Sequence, residues 1–291
     1  MNYPLPFLLA AIISTSATRS QEGSPRLSLE TGIFAGGMNC LTDLGGTKRS
    51  FLFVADDLRL SDTKPATGVY GMLAYKNRFV LHLAINTGSV RAADRSAGNN
   101  DQAPGSRYRR NLSFRSGIRE LRLGFEIRVL NKWWYGEDEI HRLTLGLSGG
   151  AALYHFSPEA WLDGVKYPLR DYHLEGQGFP ELNGTPVYNR TQLSLPVGII
   201  INRSLAGRFS LAVEFIYHFL FTDYLDDVSR QYINPELFDR HFDPEKARIA
   251  RLLQHRTPEL VATPFPLYQP RGNPEKNDAW FSFGLKAGVT L

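Results

Sequence analysis

The sequence predicts an all-β fold: an eight-stranded antiparallel transmembrane β-barrel with long loops on one side and a short helix in the last loop. Three observations carry that expectation. Apolar and polar residues alternate over segment after segment, which is the two-residue period of a strand whose faces meet different environments. Past the N-terminus no apolar run reaches the length of a spanning helix. Short and long connections alternate along the chain, as in bacterial outer-membrane barrels.

Each element follows in order. Phe7-Leu8-Leu9-Ala10-Ala11-Ile12-Ile13 is an apolar core followed by small and polar residues through Ala17, so residues 1–20 read as a signal peptide and residues 21–291 as the barrel. The run is too short to be an anchor, since a spanning helix needs about 20 residues. Strands are expected at about 26–37, 67–75, 78–88, 112–130, 141–156, 190–202, 208–222 and 278–291. The clearest is Leu121-Arg122-Leu123-Gly124-Phe125-Glu126-Ile127-Arg128-Val129, where every odd position is apolar. Phe209 to Phe219 and Phe281 to Leu291 repeat that parity. The connections at 76–78, 131–140 and 203–207 are short, and those at 38–66, 89–111, 157–189 and 223–277 are long.

Composition narrows the function. With 43% apolar and 12% aromatic residues among 291, the chain is not disordered. A net charge of +4 without a basic block gives nucleic-acid binding no support. The single cysteine, Cys40, excludes an intrachain disulfide. A soluble sandwich or lipocalin-like barrel would alternate too, but the glycine-rich, charged face here suits a tight lumen. Trp133-Trp134-Tyr135 at a short turn, and Tyr217, Phe219 and Phe221 near a long loop, stand where interfacial aromatic girdles belong.

An eight-stranded barrel has room inside for side chains and little else. Glu30, Arg122, Glu126, Arg128, Glu214 and Lys286 fall on inward faces and are expected to form an ion-pair network, because a buried charge must be paired. Asp223, Asp226 and Asp227 cluster beyond a strand and can offer oxygens to calcium, but the loop lacks calcium-loop spacing, and Asp serves equally as a turn former. No metal or cofactor is expected. Asp243-Pro244 reads as an N-cap with proline at the first helical position, opening a helix to about Arg256. Its Arg248, Arg251 and His255 lie near one face, either solvated or able to meet lipopolysaccharide phosphates. The seven histidines are dispersed without metal-ligand spacing, and no nucleophile elbow, P-loop or dinucleotide fingerprint appears. An enzyme is not expected.

Several loop motifs resemble the PorG-like outer-membrane proteins of the type IX secretion system. They are Gly36-Gly37-Met38-Asn39 with Asp43-Leu44-Gly45-Gly46, His155-Phe156-Ser157-Pro158-Glu159-Ala160, Leu174-Glu175-Gly176-Gln177-Gly178, and Gln192 to Gly198. Most specific are Thr222-Asp223-Tyr224-Leu225-Asp226-Asp227-Val228-Ser229 and Arg271-Gly272-Asn273-Pro274. The resemblance implies a non-enzymatic component tied to a periplasmic ring of a PorK-like lipoprotein and a PorN-like partner, set in outer-membrane lipid. Conventional barrel insertion leaves only the short turns and the N-terminal segment on the periplasmic side. Contacts with the ring are therefore expected from Lys76, Arg78, Trp133, Trp134 and Tyr135. Two other functions compete: a lipid- or lipopolysaccharide-modifying enzyme, which needs His155 or His173 within reach of Asp223 or Asp226, and an adhesin-like barrel, which needs exposed aromatic anchors on its loops.

Overall fold

The computed structural model describes residues 27–45, 60–97, 107–130, 143–205 and 208–291. The expected signal segment, Gly46 and the connection carrying Trp133, Trp134 and Tyr135 lie outside the described residues. The strands are β1 (Leu27–Leu41), β2 (Lys64–Tyr75), β3 (Phe79–Ala93), β4 (Ser113–Leu130), β5 (Leu143–Leu162), β6 (Val165–Pro168), β7 (Thr191–Ser204), β8 (Phe209–Leu220) and β9 (Ala279–Thr290). Antiparallel pairing runs β1-β2-β3-β4-β5-β7-β8-β9, and β9 returns to β1 to close the ring. Because β6 pairs only with the upper end of β5, from Glu159 to Leu162, eight strands make the wall. Closure leaves no strand edge unpaired, which a bilayer requires.

Two tight turns show how local sequence sets the register. Lys76 and Asn77 both have positive φ, and Arg78 N donates to Tyr75 O at 3.1 Å, the geometry of a type I′ turn between β2 and β3. Asp163 and Gly164 do the same between β5 and β6. The β5–β6 hairpin was not expected, although Asp-Gly is a strong hairpin signal. Several strands also outrun their expected ends on the long-loop side: β1 reaches Leu41, β3 Ala93 and β5 Leu162.

The two faces of the wall are opposite in character. Ile85, Leu121, Leu153 and Leu193 form one outward row across β3, β4, β5 and β7, each register partner of the next and each 45–59% exposed. Phe209, Leu211, Val213, Phe215 and Phe219 continue the belt along β8. Each such side chain left in water forgoes about 1.5–3 kcal/mol of burial, so a whole belt of them is a lipid-facing surface. Within the belt the charged residues, Glu30, Arg122, Glu126, Arg128, Glu214 and Lys286, point inward, the reverse of a soluble barrel. The chain is an outer-membrane β-barrel, with tight turns toward one end and long loops at the other. Among the described residues no helix is long and apolar enough to cross a membrane.

The main hydrophobic core lies above the belt. Phe34, Met38, Tyr154, Phe156 and Trp280 at the strand tops pack with Leu174, Leu225, Ile233, Phe238 and Leu253 from the loops. Three short helices belong to this upper layer: α1 (Arg107–Arg110), α2 (Glu236–His241) and α3 (Pro244–Gln254). The expected Asp243 cap is present, its side chain accepting from Lys246 N. Helix α2, absent from the expectation, has no side-chain cap and is held by burial of Leu237 and Phe238.

Candidate functional site

The lumen is built by strand parity. Inward positions on β4 place Glu120, Arg122, Glu126 and Arg128 in one line, and glycines opposite them make room. A Cβ on Gly146 would lie 2.3 Å from Glu126 Oε1, and one on Gly288 would lie 2.2 Å from Glu30 Oε1. Three polar clusters result. Low in the barrel, Glu126 accepts from Arg128 Nε at 3.0 Å and pairs with His82 Nε2 at 2.6 Å, while Arg128 also reaches Asn77 at the turn. In the middle, Glu214 accepts from Arg122 at 2.7 Å and lies 3.3 Å from Lys286. Higher, Asn86 donates to Glu120 at 2.7 Å, and His218 lies 3.3 Å from Glu120 while stacking on Trp280 at 3.5 Å.

All six charged residues expected inside are buried, and five share two ion-pair clusters. Glu30 departs from the expectation. It is held by hydroxyls, Tyr70 at 2.8 Å and Ser210 at 2.7 Å, while Lys286 sits over the Tyr70 ring 3.9 Å from its centre. The physical reason is register: β1 lies beside β9, but Lys286 stands opposite Phe34, four residues along from Glu30, and Glu30 meets the nearer neutral donors. Sequence reasoning missed Tyr70, His82, Asn86, Glu120, Ser210 and His218. Parity marked three of them, since Glu120 shares the inward face of β4, and Ser210 and His218 that of β8, with a residue that was chosen, whereas Tyr70, His82 and Asn86 lie on β2 and β3, from which none was chosen.

Above the belt the scattered loop motifs come together. Glu175 accepts from Ser229 N at 2.9 Å, Arg230 N at 3.0 Å and Arg271 Nη1 at 2.9 Å. Arg271 Nη1 also donates to Asp227 O at 2.6 Å, and Tyr188 donates its hydroxyl to Asp227 Oδ1 at 2.8 Å. Asp226 caps Val228 N at 2.9 Å and reaches Leu44 N, 182 residues away, at 3.3 Å. Asp43 accepts from Asn273 N, and Gly272 packs so closely on Asp43 and Ser229 that a Cβ would have no room. Gln177 accepts from Glu175 N at 3.1 Å, and Gly176 and Gly178 both have the positive φ that glycine tolerates. Gly45 N donates to Asp94, which also accepts from Arg110 at 2.7 Å. Asn39 donates to Thr63 at 3.1 Å. Tyr224 stacks on Tyr188 at 4.9 Å, and Leu225 is fully buried, its N–H donating to Asp278 at 2.9 Å. The motif residues thus make one cap over the barrel mouth.

The cap is rich in buried acids. Burial lifts the Asp223 carboxyl to about 9, with Asp43 adding to it and the Ser229 side chain opposing it. Burial and Asp43 raise Asp226 to about 7, and burial raises Asp227 to about 7 against the pull of Arg271. Asp278 is pushed well above the carboxylate range by burial and by Asp226. These acids are protonated structural groups over much of the neutral range. Among the described residues no three His, Cys, Asp or Glu side chains are grouped to hold a metal ion.

Other expected partners do not meet. His155 bonds Thr191 at 2.9 Å and His173 bonds the Gln177 carbonyl, so neither reaches Asp223 or Asp226. On α3, Arg248 is paired with Glu245 at 2.8 Å and Arg251 with Asp239. His255 packs edge-on against Tyr232 and Phe265. At the β2–β3 turn Lys76 and Arg78 are exposed, lying over the rings of Tyr75 at 5.3 Å and Phe79 at 5.7 Å.

No family model matches the chain, and no curated protein matches it. Among solved structures it is similar to Ail, the attachment invasion locus protein of Yersinia pestis, in complex with the heparin analogue sucrose octasulfate: 9% identity, 91% of this chain and 97% of that chain covered, TM-score 0.33. It is also similar to Neisserial surface protein A: 8% identity, 93% and 100% covered, TM-score 0.33.

Proposed function

We propose that the chain is a non-enzymatic outer-membrane component of a type IX secretion complex, PorG-like, which holds the periplasmic ring of a PorK-like lipoprotein and its PorN-like partner at the membrane. One observation carries the reading: the loop motifs of the resemblance, spread from Asp43 to Asn273, pack into a single hydrogen-bonded cap, while His155 to Ala160 and Gln192 to Gly198 lie in the wall strands beneath. A cap so tied serves as a fixed part of an assembly. It shuts the outer mouth and leaves the periplasmic turns as the free surface, where Lys76 and Arg78 meet an acidic partner and Trp133, Trp134 and Tyr135 supply anchors.

The test is in-cell crosslinking from residue 77, read as capture of the ring lipoprotein. Lys76→Glu with Arg78→Glu and Trp133→Ala should lower capture by about tenfold, equivalent to about 1.4 kcal/mol, with the barrel still folded. If Asp226→Asn with Asp227→Asn abolishes capture while the turn substitutions leave it unchanged, the loops are the binding surface and the docking reading fails.

A surface-binding, adhesin-like role has one observation in its favour. Val261, Leu267 and Tyr268 are exposed on the last loop, Tyr268 at 59%. Tyr268→Ala with Leu267→Ser should abolish attachment of cells to a surface if that reading holds, and leave ring capture unchanged.

A further inference from the structure

The outer wall immediately above the lipid-facing belt carries a basic notch that neither the lumen nor the cap uses. The apolar row Ile85–Leu121–Leu153–Leu193 is the last of its kind on this quarter of the barrel, and the next outward row is Thr87–Arg119–His155–Thr191, paired in the same register. Two residues of strand carry that row about 7 Å along tilted strands, a rise of about 5 Å from the apolar row toward the headgroups. Arg190 adjoins Thr191, and both Arg190 and Arg119 act electrostatically on His155. On β4 the outward positions read Arg115, Gly117, Arg119, and the space beside Gly117 is open, with no atom within 4 Å of where a Cβ would stand.

The charge balance here is incomplete. Of the nearby acids, Asp62 is taken by Arg91 at 2.8 Å and Glu159 by Lys166 at 3.1 Å. Arg115 donates only to the Ser89 hydroxyl, at 3.2 Å, and among the described residues no acid lies within ion-pair distance of Arg119 or Arg190. Arg115 stands in register between Arg91 and Glu159, and both of those are already engaged, by Asp62 and Lys166.

We propose that the notch over Gly117, flanked by Arg115, Arg119 and Arg190, binds a phosphate group of an outer-leaflet glycolipid. Arginine suits the role, because its planar fork donates to two phosphate oxygens at once. Thr87, Thr191 and His155 add donors at the same height. The apolar row directly beneath gives the acyl chains of that lipid a continuous surface, which is why the phosphate is a lipid's and not free in solution. This site is independent of ring docking, which uses the other end of the barrel.

The experiment measures binding to the purified full chain in detergent by native mass spectrometry, with three probes: bisphosphorylated lipid A, the same lipid with its phosphates removed, and inorganic phosphate. The wild type should bind the phosphorylated lipid about tenfold or more tightly than the dephosphorylated one. Arg119→Gln with Arg190→Gln should lose that preference. Gly117→Val, which fills the notch without altering charge, should lose it too, and Arg248→Gln on α3 should keep it. Heat-modifiable gel migration checks that every variant is folded. Equal binding of the two lipids by the wild type, an undiminished preference in both notch variants, or inorganic phosphate bound as tightly as the lipid would each overturn the proposal.

Discussion

Glu214 is the residue whose loss the barrel should feel most. It is 2% exposed and lies between Arg122 and Lys286, at 2.7 Å and 3.3 Å, which are themselves 6% and 3% exposed. In Glu214→Leu two cations stay inside the wall with the shared anion gone. Removing one partner of a buried pair costs about 3–5 kcal/mol, and with two cations orphaned the upper end applies, about 5 kcal/mol. Glu126→Leu should cost less, about 1–3 kcal/mol, because His82 is not obliged to carry charge and Arg128 keeps Asn77. Replacing the whole set, Glu214→Leu with Arg122→Met and Lys286→Met, should recover part of the loss, since both cations leave with their anion, while the buried Glu120 loses the field of Arg122 and keeps Asn86. Denaturant unfolding of the detergent-solubilised barrel, followed by the heat-modifiable gel shift, gives all three values. A Glu214→Leu barrel within about 1 kcal/mol of wild type, or a triple variant as unstable as the single, would refute the reasoning.

Other consequences are open to direct measurement. The cap acids have folded pKa values raised above the ordinary value near 4, so their contribution to stability is complete below about pH 4 and is lost as pH rises through about 7 for Asp226 and Asp227 and about 9 for Asp223. The denaturant midpoint for opening the cap should therefore fall between pH 5 and pH 9; a rise over that interval contradicts the assignment. Arg271→Met strips the cation from Glu175 and the Asp227 carbonyl, and should weaken the cap by about 3–5 kcal/mol while the wall keeps its gel shift. Limited proteolysis reads the first effect and boiling-dependent migration the second. Gly164→Val forces a branched residue into a turn position with φ of +78°, costing about 1–2 kcal/mol. Cleavage should then appear at the β5–β6 hairpin before anywhere in the wall.

The wall was readable because a barrel repeats a single rule. Each strand contributes residues alternately to lipid and lumen, so the parity of Leu121 to Val129 alone placed Arg122, Glu126 and Arg128 inside. The same rule is blind to where a strand stops once both its faces are covered. At Gly37 to Cys40 and Ala279 to Ser282 every residue is buried, because loops pack outside the wall there, and no alternation remains to follow. On β1 that hides the upper end, whereas β9 starts close to its expected start at 278, and on β5 the alternation runs on to Leu162. The β5–β6 hairpin was missed for a different reason: Trp161, Asp163, Gly164 and Lys166 lie beyond the belt, where strand residues face water and carry no lipid signature.

Contacts within the cap were much less readable, although its residues were identified. Leu44 and Asp226 are 182 positions apart, and nothing in either segment names the other. What local chemistry does predict is short-range: Asp226 to Val228 N spans two residues, and Asp243 to Lys246 N three. The longer contacts obey a constraint that sequence can state without solving. Loops closing over an apolar floor of Tyr154, Phe156 and Trp280 bury backbone N–H groups that strands no longer pair, and each needs an acceptor. A carboxyl, ionised or protonated, keeps an oxygen free to accept, so Glu175, Asp226, Asp278 and Asp94 end on Ser229, Leu44, Leu225 and Leu112 nitrogens. An acidic loop in an exported barrel can therefore report a layer of backbone to be satisfied before it reports a metal or a catalytic acid. Asp223, whose carboxyl meets the Ser229 side chain and no backbone N–H, is the residue where that account stops and where Asp223→Asn gives a clean check: an amide brings its own donors, and a cap that tolerates it unchanged has an acceptor waiting nearby.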